Sequence, residues 1–235
     1  MKPYQQVPIQ ECHEPLVAIP LDMFASEFPH PYVKLATPYG DKSPYYLRQS
    51  VLERLIQAQH MLQQIRPGWQ IQIFDAYRPI AVQQFMVNYM FNQVLVEKSL
   101  CIDCLTEAER QEILEQVYQF WAVPSLDPTT PPPHSTGAAI DITLVDQIGQ
   151  VIDMGSAIDE MSPRSEPSYY AAVDKCQLEW QFQQNRQILY QTMTHAGFEQ
   201  HPQEWWHFSY GDQLWAWLVH QKQAEYSPIA CYGVV

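Results

Sequence analysis

Positive charge is what this sequence has least of. Its 235 residues carry 13 Lys and Arg against 26 Asp and Glu, a formal net charge of −13. A phosphate backbone calls for a basic face, so nucleic acid is not an expected partner, and anionic lipid would find little to attract it. No uninterrupted apolar run reaches the length of a membrane span. The start, Met1-Lys2-Pro3-Tyr4-Gln5-Gln6-Val7-Pro8, has no apolar core of signal-peptide length. Cysteines are few and odd in number: Cys12, Cys101, Cys104, Cys176 and Cys231 lie at irregular spacing, unlike a secreted disulfide framework. These absences lead to the expectation of a soluble cytoplasmic protein without a membrane or nucleic-acid partner; the oligomeric state is not encoded in any of them. Internal repeats and linker-like stretches are missing too. With 46% hydrophobic residues the chain can bury a substantial core. One domain over residues 1–235 is expected, with residues 1–32 as an irregular N-terminal arm.

What is present reads as alternating helices and strands. Leu47, Val51, Leu52, Leu55, Ile56, Leu62 and Ile65 recur at helical spacing, predicting a helix from Tyr46 to Arg66 that Pro67-Gly68 ends. Trp69, Ile71 and Ile73 alternate with Gln70 and Gln72, as in a strand with one buried face, and that strand delivers Asp75-Ala76-Tyr77-Arg78-Pro79 at its end. A helix from Ile80 to about Lys98 carries a Met and aromatic stripe that reads as core. Thr106 and Glu109 have capping-box spacing before another helix. Ala139 to Val145 reads as a strand, Gln147 to Gln150 as a hairpin turn leading to Val151–Met154, and Ser168 to His195 as a long helix stopped by Gly197. Glu204 to Tyr210 is the last strand and Asp212 to Gln221 a closing helix. The expected fold class is α+β, a small and mainly antiparallel sheet flanked by helices.

The H-E-x-x-H motif of helical zinc peptidases is absent. Other residues suit the same metal. His134 and Asp141 are seven positions apart, roughly 25 Å in an extended chain, so two ligands of one ion there need a turn between them. Ser135-Thr136-Gly137 supplies it. Ile140, Ile142 and Leu144 surround Asp141, and a carboxylate buried without a partner is costly, so a cation would stabilise it. His207 completes a set of two His and one carboxylate with a position left for water, the usual composition of a catalytic zinc site. Glu204, three residues before His207, would accept a proton from that water, provided a bend near Trp205 brings both side chains to one side. Arg78 would stabilise an oxyanion or bind a carboxylate, oriented by Asp75. The plainer alternative treats His134 as a loop residue, Asp141 and Glu204 as surface acids, and Arg78 as a surface partner of Asp75. Cys101-Ile102-Asp103-Cys104 has CxxC spacing but no second pair, so no structural zinc is expected there. Zn2+ is the one cofactor expected.

Taken together, Asp75-Ala76-Tyr77-Arg78-Pro79, His134-Ser135-Thr136-Gly137-Ala138-Ala139-Ile140-Asp141 and Glu204-Trp205-Trp206-His207 resemble the VanX-type D-alanyl-D-alanine dipeptidases. The resemblance runs in order from about Val33 to Phe208 and includes Asp153-Met154-Gly155-Ser156-Ala157-Ile158-Asp159-Glu160-Met161-Ser162. It implies a zinc metallopeptidase that hydrolyses a small D,D-dipeptide, D-alanyl-D-alanine, to two D-alanines. It further implies zinc on His134, Asp141 and His207, Glu204 as general base and then acid, Arg78 at the transition state, and Asp159 on the substrate ammonium. Two positions depart from the family pattern. Leu35-Ala36-Thr37 stands where the family typically has Tyr-Ala-Thr, and Pro132 where it commonly has Ser two residues before the first zinc His. Both lose hydroxyls similar to substrate-amine contacts. The alternatives are therefore a D,D-carboxypeptidase or another peptidoglycan-peptide hydrolase, and a non-catalytic zinc-binding module, against which Glu204 counts.

Overall fold

The computed structural model describes residues 2–223 and 227–235. Its N-terminal arm is more ordered than the lack of period suggests. A 3-10 helix, Pro3–Gln6, precedes two short strands, β1 (Leu16–Ala18) and β2 (Ala25–Ser26), and a one-turn helix, α1 (Pro31–Lys34). Strand β3 (Tyr46–Arg48) pairs antiparallel with β1. The helix expected from Tyr46 therefore starts later, as α2 (Gln49–Ile65), because the backbone of its first three residues is committed to β1 and the Arg48 amide donates to the Gly137 carbonyl at 2.9 Å. Helix α2 buries Val51, Leu52, Leu55, Ala58 and Leu62 on one face. Each fully buried Leu there stabilises by roughly 1.5–3 kcal/mol. Gln59 on the same face accepts from the Ile71 amide and donates to the Trp69 carbonyl, tying the helix to the strand that follows.

That strand is β4 (Gln70–Asp75), whose residues alternate between half-buried and buried. Helices α3 (Ile80–Glu97) and α4 (Glu107–Val117) come next. The capping box at the start of α4 is formed: Thr106 Oγ accepts from the Glu109 amide, and the Glu109 carboxylate accepts from the Thr106 amide. Strand β5 (Ala139–Val145) is buried along its whole length. After α5 (Glu179–His195) come β6 (Glu199–Gln200), β7 (His207–Ser209) and α6 (Gln213–Lys222), the last capped by Asp212, which accepts from the Trp215 amide at 2.8 Å.

Among the described residues, five strands form one sheet in the order β2-β4-β5-β7-β6, antiparallel except where β2 meets β4. The fold is the α+β arrangement expected. One apolar cluster lies between this sheet, α2 and α5, and holds Leu55, Ile73, Ile142, Leu189 and Trp206. A second packs α3 against α4 around Val87, Phe91, Ile113 and Trp121.

Two expectations are corrected. The turn at Asp146–Gln150 forms, with the Asp146 carboxylate accepting from the Ile148 and Gln150 amides, but its return arm makes a single bridge at Val151 and no strand. The long helix begins at Glu179 instead of Ser168. Residues before it form turns, because other partners hold that backbone: Arg186 donates to the Arg164 and Glu166 carbonyls, and the Asp174 carboxylate accepts from the Cys176 amide.

Candidate metal centre and cleft

Strand register places three acidic or basic groups in one row. Asp75 on β4 pairs with Asp141 on β5, and Asp141 pairs with His207 on β7. The β4–β5 register shifts between Ile73 and Asp75, an irregularity of the kind that re-aims a side chain beside a site. His134 reaches the row from a 3-10 helix, Pro133–Thr136, that ends on Gly137 at φ +72°. Only a residue at ease in the left-handed region turns the chain so sharply into β5. The bend expected between His134 and Asp141 is this one.

The His134, Asp141 and His207 donor atoms lie within 4.8 Å of one another, and all three residues are buried. His134 Nδ1 is 2.7 Å from the Ala76 carbonyl. A carbonyl only accepts, so Nδ1 carries the proton and Nε2 presents a lone pair. That Nε2 stands 3.2 Å from His207 Nδ1 and 3.2 Å from Asp141 Oδ2. On His207, Nε2 is 3.3 Å from Ser209 Oγ, whose own proton goes to Asp212. Ser209 therefore accepts, and His207 Nδ1 turns its lone pair toward Asp141 Oδ1 at 3.0 Å. Two imidazole lone pairs and a carboxylate thus converge without a proton between them. The set fits a divalent cation, and its composition is that of catalytic zinc.

Glu204 sits in a turn and not in the strand expected there. The His207 carbonyl accepts from the His201 amide, and the Trp205 amide is bound to the Ser165 carbonyl. The turn removes the opposite-face problem of a regular strand, and Glu204 Oε2 comes within 3.8 Å of His207 Nδ1. Burial, then the charge of Asp141, pushes the Glu204 carboxyl well above the ordinary range. Arg78 is buried rather than on the surface. Its Nε donates to Asp75 Oδ2 and its Nη1 to Gln83 Oε1, both at 2.9 Å, while Nη2 is 3.3 Å from Asp141 Oδ2. The guanidinium lies over the rings of Trp121 and Tyr32. Asp159, at φ +64°, completes the cleft, and burial together with the charge of Asp141 pushes its carboxyl up to about 7.

A family profile described as D-ala-D-ala dipeptidase matches residues 25–228. The chain belongs to that family. Its members are zinc metallopeptidases, in agreement with the donor set just described. A D-alanyl-D-alanine dipeptidase of Synechocystis sp. (strain ATCC 27184 / PCC 6803 / Kazusa) is 51% identical over 240 residues, covering 100% of this chain and 97% of its own. The D-alanyl-D-alanine dipeptidase of Escherichia coli (strain K12) is 42% identical over 141 residues, 60% of this chain and 55% of its own. A vancomycin-resistance D,D-pentapeptidase solved with Zn(II) covers 76% of this chain and 80% of its own at 14% identity and TM-score 0.46, too remote to bear on function.

Neither departure from the family pattern is among the cleft-lining residues. Leu35 packs against the second apolar cluster, which holds Tyr32 and Trp121, and Pro132 is buried next to Pro133, which does line the cleft. Sequence reasoning missed Tyr32, whose hydroxyl donates to Asp159 Oδ2 at 2.7 Å. It lies one helical turn before Leu35, and the Leu35 amide bonds the Tyr32 carbonyl, so the spacing from Leu35 was the available signal. Also missed were His30 and Tyr39, which face Asp75 Oδ1 at 3.3 and 3.2 Å, and Lys2 and Tyr4, which line the cleft. His201 is 3.7 Å from Glu204 Oε1. Trp205 and Trp206, adjoining Glu204 in the chain, are buried. All five cysteines are unpaired and exposed, Cys101 and Cys104 included. No described helix is long and apolar enough to cross a membrane.

Proposed function

We propose that this chain hydrolyses D-alanyl-D-alanine to two D-alanines, with a zinc ion held by His134, Asp141 and His207. The observation that carries this reading is the convergence of two imidazole lone pairs and the Asp141 carboxylate in a cleft that Glu204, Arg78 and Asp159 also line. Family membership supports the same substrate class. Zinc, when bound, would lower the pKa of the attacking water and polarise the scissile carbonyl.

The chain's own residues supply the rest. Glu204 accepts the proton of the attacking water on a carboxylate oxygen and returns it to the leaving amine. Burial raises its pKa, which makes the carboxylate a stronger base toward the attacking water, and the proton it takes is the one passed to the amine. Arg78, held by Asp75 and Gln83, directs Nη2 toward the oxyanion that develops when water adds, and pays no reorganisation cost at that moment. Asp159 holds the substrate ammonium. Trp121 and Trp206 wall the cleft. The unpaired cysteines support a reducing compartment, and we place the enzyme in the cytoplasm.

The test is turnover by the zinc-loaded protein of D-Ala-D-Ala, L-Ala-L-Ala and an N-acylated tripeptide ending in D-Ala-D-Ala. Cleavage of the D,D-dipeptide alone is expected. No cleavage of it with the metal bound would overturn the reading, and preference for the tripeptide would reassign the chain as a D,D-carboxypeptidase.

A further inference from the structure

The roles above account for one end of a dipeptide and leave the other without a partner. Asp159 takes the ammonium, but the substrate also ends in a carboxylate, and a desolvated carboxylate needs a cation. Arg78, held by Asp75 and Gln83, is already assigned to the oxyanion at the scissile bond, so a carboxylate at the far end of the substrate calls for a different cation. Among the described residues lining the cleft, the other Lys or Arg is Lys2.

Lys2 is carried there by a firmly seated segment. It precedes the 3-10 helix Pro3–Gln6, and its amide donates to Gln5 Oε1 at 2.8 Å. Tyr4 is buried. The buried Gln213 at the start of α6 donates from Nε2 to the Val7 carbonyl at 2.7 Å and to the Thr129 carbonyl at 2.9 Å, which fixes the end of the segment. Lys2 lines the same cleft as Glu204 and His201, and burial lowers the Lys2 ammonium pKa while the charge of Glu204 raises it. Lys2, Tyr4, Phe120 and His201 also line an adjoining groove of about 690 Å³. The segment is thus a partition between the small cleft and a much larger open space.

Chemistry ties Lys2 to a specific atom group. In the departing amino acid a single Cα separates the amine nitrogen from the carboxylate carbon. The group that protonates the amine and the group that binds the carboxylate must therefore be close together, and Glu204 and Lys2 line the same cleft. We propose that Lys2 binds the α-carboxylate of the departing amino acid and so selects substrates that end one residue after the scissile bond. The proposal rests on the reading of Glu204 as the proton donor. A chain continuing beyond that residue would bring a neutral amide to Lys2, with no charge to offset the desolvation of its ammonium.

The experiment measures kcat and KM for D-Ala-D-Ala and for D-Ala-D-alaninamide, using the untagged N-terminus, in wild type, Lys2→Met, Lys2→Arg and Lys98→Met. Lys98 is exposed on the far end of α3 and controls for net charge. Lys2→Met is expected to lower kcat/KM for the carboxylate substrate roughly ten- to hundredfold, the range for a hydrogen bond to a charged group, chiefly through KM. The amide should change little, Lys2→Arg should recover most of the loss, and Lys98→Met should match wild type. Equal losses on both substrates would show Lys2 acting through Glu204 or through folding and overturn the proposal, as would no loss on either. Inhibition by added D-alanine gives a readout that needs no amide turnover: Lys2→Met should weaken it by a similar factor, and unchanged inhibition overturns the proposal. Wild type that binds zinc but leaves D-Ala-D-Ala intact would bring down the functional reading itself, an outcome distinct from active wild type with an indifferent Lys2.

Discussion

The Tyr32 hydroxyl donates to Asp159 Oδ2 at 2.7 Å and accepts from Arg78 Nη2 at 3.3 Å. One phenol therefore links the proposed ammonium-binding carboxylate to the proposed oxyanion-stabilising guanidinium. Burial, opposed by the charge of Arg78, holds the phenol's pKa well above the ordinary value, so it remains a donor to Asp159 at any working pH. Tyr32→Phe removes a hydrogen bond to a charged group, worth about 1.5–3 kcal/mol. We expect kcat/KM for D-Ala-D-Ala to fall at least roughly tenfold while zinc content stays at wild-type level. Wild-type kinetics would strip Tyr32 of this role.

Asp159 also sets an expected pH dependence. Its carboxyl is pushed up to about 7, by burial first and then by the charge of Asp141. Only the ionised form holds an ammonium, and a raised pKa means ionisation comes later as pH rises. KM for D-Ala-D-Ala should therefore increase as pH falls through about 7, and Asp159→Asn should give a weaker-binding enzyme whose KM no longer follows that transition. A KM independent of pH in wild type across this window would count against Asp159 as the ammonium site.

Metal binding and proton transfer separate by mutation. Glu204→Gln keeps a side chain of nearly the same shape but loses the base, so zinc content should remain and kcat should drop roughly 10²–10⁴-fold. His207→Ala removes a ligand from the cluster with His134 and Asp141 and should lose zinc as well as turnover. In wild type, zinc at about a hundred times its Kd should stabilise the fold by ~2.7 kcal/mol, visible as a rise in Tm that a chelator reverses. The same rise in His207→Ala would remove His207 from the ligand set.

Gly137 is the backbone joint between two proposed ligands. It sits at φ +72°, and a Cβ there would lie 2.3 Å from Leu16 Cδ2. A left-handed non-Gly residue costs roughly 1–2 kcal/mol before any steric adjustment. Gly137→Ala should thus lower stability by about 1–3 kcal/mol, read as a lower urea midpoint at unchanged m-value, with zinc affinity weakened because His134 and Asp141 flank the joint. An unchanged midpoint would mean that β1 yields freely at Leu16.

The boundaries of α3 and the start of α4 were legible because their signals are local: the apolar period from Ile80, and the Thr106–Glu109 capping pair. The start of α2 was not, since Tyr46–Arg48 has helix-compatible residues whose fate depends on β1, a partner far off in the sequence. The start of α5 was hidden for a similar reason. Turns before Glu179 are held by Arg186 and by local side-chain acceptors, and these outcompete a weak helical propensity.

At the site, residue types alone pointed to His134, Asp141, His207, Glu204 and Arg78, because zinc hydrolysis requires lone-pair donors, a base and a cation, and a buried carboxylate needs a reason to be there. What chain order could not express is register. Asp75, Asp141 and His207 form a row because three strands pair in one alignment, and a shift of one residue would send each side chain to the opposite face. The same limit applies to Leu35 and Pro132, which drew attention as departures from a pattern and are not among the residues lining the cleft. Tyr32 and Lys2, in a region without period, reach the site only because α1 and the 3-10 helix at Pro3 pack against α3-proximal residues and α6 through contacts that span most of the chain. Local chemistry singled out the residues proposed to bind a metal and move a proton; long-range packing decided which groups surround them, since burial and distance are properties of the folded chain alone.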